Sequence, residues 1–328
     1  VARELDPMRL RGLTSTDMGA IFGVDPDRDL DSVHAVKKRG VVLPPIPWRW
    51  ELGQYLETAV MDIFEAKTGH KVEKLFDKTF QHPKYPHIMA TPDALLLDEN
   101  SGADAKVCSW DQRHKYGESA DEIPDRVALQ VVTCMEVMQR DSWYIALLSG
   151  DQFRAIRINR DPEFGEWLMT EATRIWRKYF EGDERPPVGG SRITSMWLQQ
   201  AYPKHKRPDI RVATDEEVEM LTQYGNLRME QKALMKARAT MENQLKDAIK
   251  DREGLEWPGG KFTWRKAKDS QEIDWQSMAI ALRTHYIQDE EARAKLTADY
   301  TRLKPGVRRI YFKSDQFVES EETENAAA

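Results

Sequence analysis

The sequence predicts an α/β protein in which a central mixed sheet is flanked by helices and followed by a mainly helical C-terminal extension. Three observations carry this reading. Between residues 72 and 158, short apolar runs alternate with turn residues and with one amphipathic helical stretch, the pattern of a mixed sheet with covering helices. Pro186-Pro187 and Gly189-Gly190 then interrupt the chain, which sets one domain at 1–188 and an extension at 189–318. Within the extension Met220, Tyr224, Leu227, Gln231, Leu234, Arg238, Met241, Leu245 and Ala248 recur at spacings of four and three, a heptad seam with two polar interruptions. The tail 319–328 is acidic, then alanine-rich, and is expected to be disordered.

The elements follow in order. Ser15 or Thr16 with Asp17 opens a short helix to Phe22, closed by Gly23. A second helix runs from Leu30 to Arg39 and ends at Gly40, and Pro44-Pro45-Ile46-Pro47 is a spacer. A long helix spans about Trp50 to Lys67, with Gly69 as its stop. Strands are expected at Val72–Leu75, Thr79–Gln81, Ile88–Ala90, Asp93–Leu97 and Ala103–Cys108. Pro124 stands in the first turn of a helix to Met138. Trp143–Leu148 and Phe153–Ile158 form a hairpin about Ser149-Gly150-Asp151, and Phe164, Trp167, Leu168, Ala172, Ile175, Trp176 and Tyr179 make a helical stripe ending at Phe180. In the extension Thr214 caps an acidic first turn and the helix continues to Arg252. A hairpin about Pro258-Gly259-Gly260 leads into a strand Lys261–Lys266, followed by helices near Trp275–Tyr286 and Glu290–Tyr300 and a last strand Arg308–Phe312.

With 40% hydrophobic and 32% charged residues in 328, the chain has the balance of a folded soluble protein. No apolar run approaches the roughly 20 residues of a membrane span, and Val-Ala-Arg-Glu-Leu-Asp-Pro does not read as a signal peptide. Cys108 and Cys134 are the only cysteines. They fit a reducing cytoplasm better than a disulfide framework, and one chain cannot supply a four-thiolate cluster. The net charge of −6 neither supports nor excludes a nucleic-acid partner, because it averages an acidic metal site with any basic track.

The sharpest signal lies at Ala90–Lys106, where Ala-Thr-Pro-Asp-Ala-Leu-Leu-Leu and Ala-Asp-Ala-Lys-Val flank the polar turn Asp-Glu-Asn-Ser-Gly. Asp93 opens the first strand of this hairpin. Asp104 and Lys106 lie two apart on the second, so they share a face, with Ala105 on the other. Two carboxylates and an ammonium on one face suit a hard divalent cation and metal-assisted phosphodiester hydrolysis. Taken singly, each could be a turn acid or a solvated strand lysine. Glu57, among Gly53, Gln54, Val60, Met61 and Phe64 on its helix face, is either a boundary residue reaching solvent or a further ligand. Gln130, among Val127, Cys134 and Val137, is either a satisfied core amide or one that orients the reacting groups.

These residues carry a resemblance. Arg9 to Asp17, Gly53 with Glu57, Phe64 with Thr68-Gly69 and Val72, Thr91-Pro92-Asp93-Ala94, Asp104-Ala105-Lys106, Gln130 with Met135, and Trp143-Tyr144 occur in the order found in the phage lambda exonuclease and YqaJ viral recombinase family. The chain resembles that family over residues 9–180. The resemblance implies a PD-(D/E)XK restriction-endonuclease-like core. It implies that Asp93 and Asp104 bind metal with Glu57 and the Ala105 carbonyl, that Lys106 activates water or stabilises the phosphate, and that Gln130 fixes the arrangement. Arg9, Thr16 and Thr91 match positions that hold the 5′-phosphate of the cut strand, although each could be a cap or a surface residue. Ala94 in place of a glycine, Val132 in place of a second glutamine and Asp104 in place of a glutamate depart from the family pattern.

The implied activity is a 5′→3′ exonuclease on double-stranded DNA ends, with Mg²⁺ (or Mn²⁺) as cofactor at two ions per site. The implied assembly is a homotrimeric ring, working beside a single-strand annealing protein in phage recombination. Another endonuclease of the superfamily, or a non-catalytic DNA-binding protein, is the alternative. Lys37, Lys38, Arg39, Arg113, His114, Lys115 and Lys204-His205-Lys206-Arg207 are the basic residues available to the DNA backbone. Gly260–Arg265 and its helices resemble an extension common in the family, read as a packing hairpin or a docking element.

Overall fold

The computed structural model describes residues 7–45, 47–117, 122–204, 210–258, 260–266, 274–287 and 289–300. The strand expected at Arg308–Phe312, the tail 319–328 and His205–Arg207 lie outside the described residues. The chain divides into two compact units, Val1–Pro203 and Lys204–Ala328.

Two sheets organise the first unit. The larger has the order β2-β5-β6-β7-β8, formed by β2 (Val72–Lys74), β5 (Ala94–Leu96), β6 (Ser101–Cys108), β7 (Ser142–Ser149) and β8 (Gln152–Asn159). β6 and β7 are parallel and the other pairs antiparallel, so the sheet is mixed as the sequence predicts. The smaller has the order β1-β4-β3, with β1 (Leu13–Thr14) parallel to β4 (Ile88–Ala90) and β3 (Phe80–Gln81) antiparallel to it.

Helices cover both faces of the larger sheet. Val60, Met61 and Phe64 of α3 (Trp48–Thr68) pack on Ala94, Ala103, Ala105 and Ala146. On the other face Val127, Val131, Cys134 and Met135 of α4 (Asp125–Met138) join Leu95, Trp143, Ile145 and Leu147, with Leu168 and Ala172 of α5 (Pro162–Trp176) behind them. The two sets alternate along each strand with its period of two.

The hairpin turn is shorter than expected. Ser101 and Gly102 belong to β6 and pair with Ser142 and Trp143. A Cβ on Gly102 would stand 2.3 Å from the Trp143 ring, so the glycine makes room for a buried indole rather than for a turn. The start also differs. A 3₁₀ turn, Ser15–Asp17, precedes α1 (Met18–Ile21), and Thr14 is the capping residue. α5 ends in a π turn, Arg177–Glu181. α2 (Leu30–Lys37) holds α6 (Arg192–Ala201) to this unit: Asp29 accepts from the Ser191 N–H at 2.9 Å, and the Arg39 guanidinium lies 3.9 Å from the Trp197 ring. The unit therefore runs past Gly189-Gly190 to Pro203.

The second unit holds α7 (Asp215–Ile249), the hairpin β9 (Gly254–Trp257) and β10 (Gly260–Thr263), α8 (Trp275–Tyr286) and α9 (Glu290–Tyr300). Thr214 and Glu217 form a capping box on α7. The heptad positions Met220, Leu227, Leu234 and Met241 are all exposed.

Candidate active site

The register of the hairpin builds the site. Ala94 faces Ala103 across β5 and β6, and one step further along antiparallel strands sets Asp93 against Asp104. The structure makes the pair explicit. The Ala105 N–H donates to Asp93 Oδ2 at 2.8 Å, and the Asp93 N–H points at Asp104 Oδ1 at 3.5 Å. Asp104 is only 1% exposed. Two side chains attend it: Gln130 Nε2 donates to Oδ2 at 2.7 Å, and Lys106 Nζ stands 3.5 Å from the same oxygen. Asp93 immediately precedes β5 rather than opening it. Ala94 is not among the described residues with positive φ, so alanine fits that position without backbone strain.

The electrostatics are those of negative charge held out of water. Burial pushes the Asp93 carboxyl well above the usual carboxylate range; Asp104 and Glu57 push it further, while Lys106 and the Ala105 N–H act against them. Burial opposes the Lys106 charge, yet Asp104 and Asp93 outweigh it and raise its pKa above the ordinary lysine value. Lys106 is therefore an ammonium at neutral pH. Burial, then Asp104, also raises the Cys134 thiol, which sits one turn beyond Gln130 and takes a hydrogen bond from Ser15.

Glu57, carried by α3, is half-buried and its charge reaches Asp93. α3 covers the face bearing Ala103 and Ala105, whereas Asp104 reaches toward α4 and Gln130. Among the described residues no three His, Cys, Asp or Glu side chains converge into a ready-made metal cluster. Of the expected ligands, Asp93 and Asp104 are opposed across the hairpin, and the charge of Glu57 acts on Asp93. The fit to a cation rests on the pair. Two mutually repelling carboxylates are hard oxygen donors whose charge Lys106 only partly neutralises, and Mg²⁺ commonly takes only one or two carboxylates and fills its shell with water.

The candidate phosphate residues gather at one end of the smaller sheet. Leu13 pairs with Ile88 and Thr14 with Met89 in parallel register, so Thr16 and Thr91 leave the sheet at the same end. Arg9 Nη2 donates to Thr16 Oγ1 at 3.2 Å, and Thr91 Oγ1 lies 3.2 Å from Thr79 Oγ1. The Ser15 contact with Cys134 ties this loop to α4 beside the carboxylates.

Two of the basic candidates are paired within the fold. The Lys37 side chain is 6% exposed and is paired with Asp17 at 2.8 Å. Arg39 is committed to Asp31 at 2.6 Å and to Trp197. Arg113 donates to Gln152 at 2.5 Å, which leaves Lys38, Lys115 and Lys204 exposed. The spacing gave no sign of Tyr116, which is buried with Lys106 among the charges acting on it. Nor did it single out the exposed rings of Trp48, Trp50 and Tyr55 ahead of Glu57 on α3.

Residues 5–141 match the YqaJ-like viral recombinase domain. That domain spans every candidate residue from Arg9 to Gln130, while α5, α6 and the second unit lie beyond it. Among solved structures the chain is similar to the alkaline exonuclease LHK-Exo from Laribacter hongkongensis, with a TM-score of 0.43 and 17% identity over 52% of this chain and 89% of that one. It is also similar to a phage related exonuclease from Haemophilus somnus 129PT, with a TM-score of 0.40 and 12% identity over 58% of this chain and 96% of that one. No curated protein matches the chain. No described helix is long and apolar enough to cross a membrane.

Proposed function

We propose that this protein is a metal-dependent 5′→3′ exonuclease that degrades one strand of linear duplex DNA from a 5′-phosphorylated end. The observation that carries the reading is the opposed Asp93/Asp104 pair, with Asp104 buried and Lys106 at 3.5 Å and Gln130 at 2.7 Å from it. The match to the YqaJ-like viral recombinase domain supports the same class.

Asp93 and Asp104, with the Ala105 carbonyl, would hold Mg²⁺ or Mn²⁺, and Glu57 adds negative charge beside them. A bound divalent cation would polarise the phosphate and lower the pKa of the attacking water. The chain supplies the rest. Gln130 fixes one Asp104 oxygen and the Ala105 N–H fixes one Asp93 oxygen, so neither carboxylate rotates as charge develops. The Lys106 ammonium faces the additional negative charge of the pentavalent phosphate. Arg9 offers a charged donor, with Thr16 and Thr91 as neutral ones, to the terminal phosphate. Breaking the bond to the 3′-oxygen leaves a new 5′-phosphate, which re-enters the same pocket. The family resemblance extends the proposal to a homotrimeric ring around DNA and to a single-strand annealing protein that takes up the 3′ strand in phage recombination.

One assay tests the core of this. Linear and covalently closed duplexes are incubated with Mg²⁺ or with chelator. Digestion of the linear form alone, lost with chelator and in Lys106→Ala, is expected. Cutting of the closed circle would mean an endonuclease, and hydrolysis that survives chelation would remove the metal reading. Dephosphorylating the ends should slow the wild type far more than Arg9→Ala.

A further inference from the structure

The loop that presents Arg9 and Thr16 is organised around a carboxylate that the proposed chemistry does not use. Asp17 is 4% exposed. It accepts from Arg28 Nη2 at 2.5 Å, Lys37 Nζ at 2.8 Å, the Thr14 hydroxyl at 2.7 Å and the Thr14 N–H at 3.0 Å. Burial alone would raise this carboxyl, but Lys37 and Arg28 outweigh burial and hold it far below the usual range.

Each of these partners also touches a candidate phosphate residue. Thr14 Oγ1 lies 3.0 Å from Thr16 Oγ1. Lys37 Nζ donates to the Arg9 carbonyl at 2.6 Å. Arg28 Nη1 donates to the Thr16 carbonyl at 3.2 Å. One carboxylate thereby fixes the Thr16 hydroxyl and both backbones through three separate routes. Two cations meet one anion, so the hub keeps a surplus positive charge beside a pocket meant for a phosphate.

We infer that Asp17 is a positioning residue for the DNA end, which with Lys37 and Arg28 presets Arg9 and Thr16 to receive the terminal phosphate. The inference rests on the 5′-phosphate reading above and deepens it. A loop ordered beforehand gives up less conformational freedom when the phosphate arrives, so more of each contact remains as affinity. Among the described residues Asp17 bonds to neither Asp93 nor Asp104, so the hub and the carboxylate pair share no hydrogen bond or ion pair.

The test compares binding of short duplexes ending in a 5′-phosphate or a 5′-hydroxyl, measured by fluorescence anisotropy in chelator so that nothing is cut. Wild type is expected to favour the phosphate end. Asp17→Asn should reduce that preference by roughly tenfold, as expected for weakening charge-assisted bonds, while affinity for the hydroxyl end is unchanged. Lys37→Arg should retain the preference and Lys37→Met should lose it. If Asp17→Asn does not fold, Arg28→Ala decides, because this side chain is 25% exposed and its removal cuts only the Thr16 carbonyl tie and one ion pair. Full phosphate preference in a folded Asp17→Asn or Arg28→Ala protein would overturn the inference. So would an equal loss for both duplexes, which is a general collapse of the loop. A wild type indifferent to the end group, and indistinguishable from Arg9→Ala, would instead bring down the phosphate pocket itself.

Discussion

Asp93→Asn should stabilise the metal-free protein while ending its hydrolysis. Opposed residues on antiparallel strands hold their Cβ atoms about 5 Å apart, and two unit charges at that spacing repel by roughly 3 kcal/mol at an effective dielectric near 20. Lys106, 3.5 Å from Asp104, offsets part of this. The Asp93 carboxyl, already pushed up by burial and by Asp104, escapes more of it by binding a proton. A net gain of about 1–2 kcal/mol remains, which for a unit of this size is a rise in Tm of roughly 2–8 °C. Asparagine keeps an oxygen for the Ala105 N–H, so the 2.8 Å bond survives and the change isolates charge. The assay is thermal unfolding at pH 8 with EDTA and again with millimolar Mg²⁺. Wild type should gain stability from the cation by mass action, whereas Asp93→Asn should be insensitive to it. A lower Tm for the variant in EDTA would make Asp93 an ordinary structural acid and refute the repulsion argument. A Mg²⁺ response equal to that of wild type would remove Asp93 from the proposed ligand set.

Three further outcomes follow from particular contacts. Gln130→Ala should slow digestion by roughly tenfold to a hundredfold, the value of a hydrogen bond to a charged acceptor, and should lower Tm because a buried Asp104 oxygen loses its donor; unaltered turnover would return Gln130 to the core. Gly102→Ala should cost about 1–3 kcal/mol in urea denaturation, since the new Cβ meets a fully buried Trp143 at 2.3 Å and β6 is paired on both sides; a neutral result would mean that the indole can move. His82 accepts the Lys84 and Tyr85 N–H groups on Nδ1 at 3.0 and 3.1 Å, and burial lowers its pKa from 6.5. The unfolded chain then binds the proton more readily, so this contribution to stability is complete above pH 6.5 and is lost as pH drops below it. His82→Asn keeps an acceptor without the titration and should flatten that slope in melts from pH 7 to 5; parallel slopes would contradict the assignment.

Much of the centre is legible in the sequence, for a local reason. A strand alternates with a period of two, so Asp104 and Lys106 share a face wherever the strand lies, and a hairpin turn brings Asp93 opposite. The same rule says nothing about Glu57. Its place depends on which sheet face α3 covers, and that is decided by alanines at 94, 103, 105 and 146 packing against Val60, Met61 and Phe64. Lys37 read as a basic residue available to the DNA backbone because its partner, Asp17, is on another element. Ser101 and Gly102 read as turn residues because glycine has two uses, and only the position of Trp143 distinguishes them.

The sequence by itself determined the element types, the acidic hairpin and the identity of the groups that meet there, because periodicity, turn chemistry and strand alternation act over a few residues. The tertiary structure alone decided which distant groups share space: Gln130 on Asp104, Ser15 against Cys134, and Lys37 and Arg28 on Asp17. Those meetings depend on how buried faces pack and on where buried charges find partners, and both are settled by the whole unit folding at once.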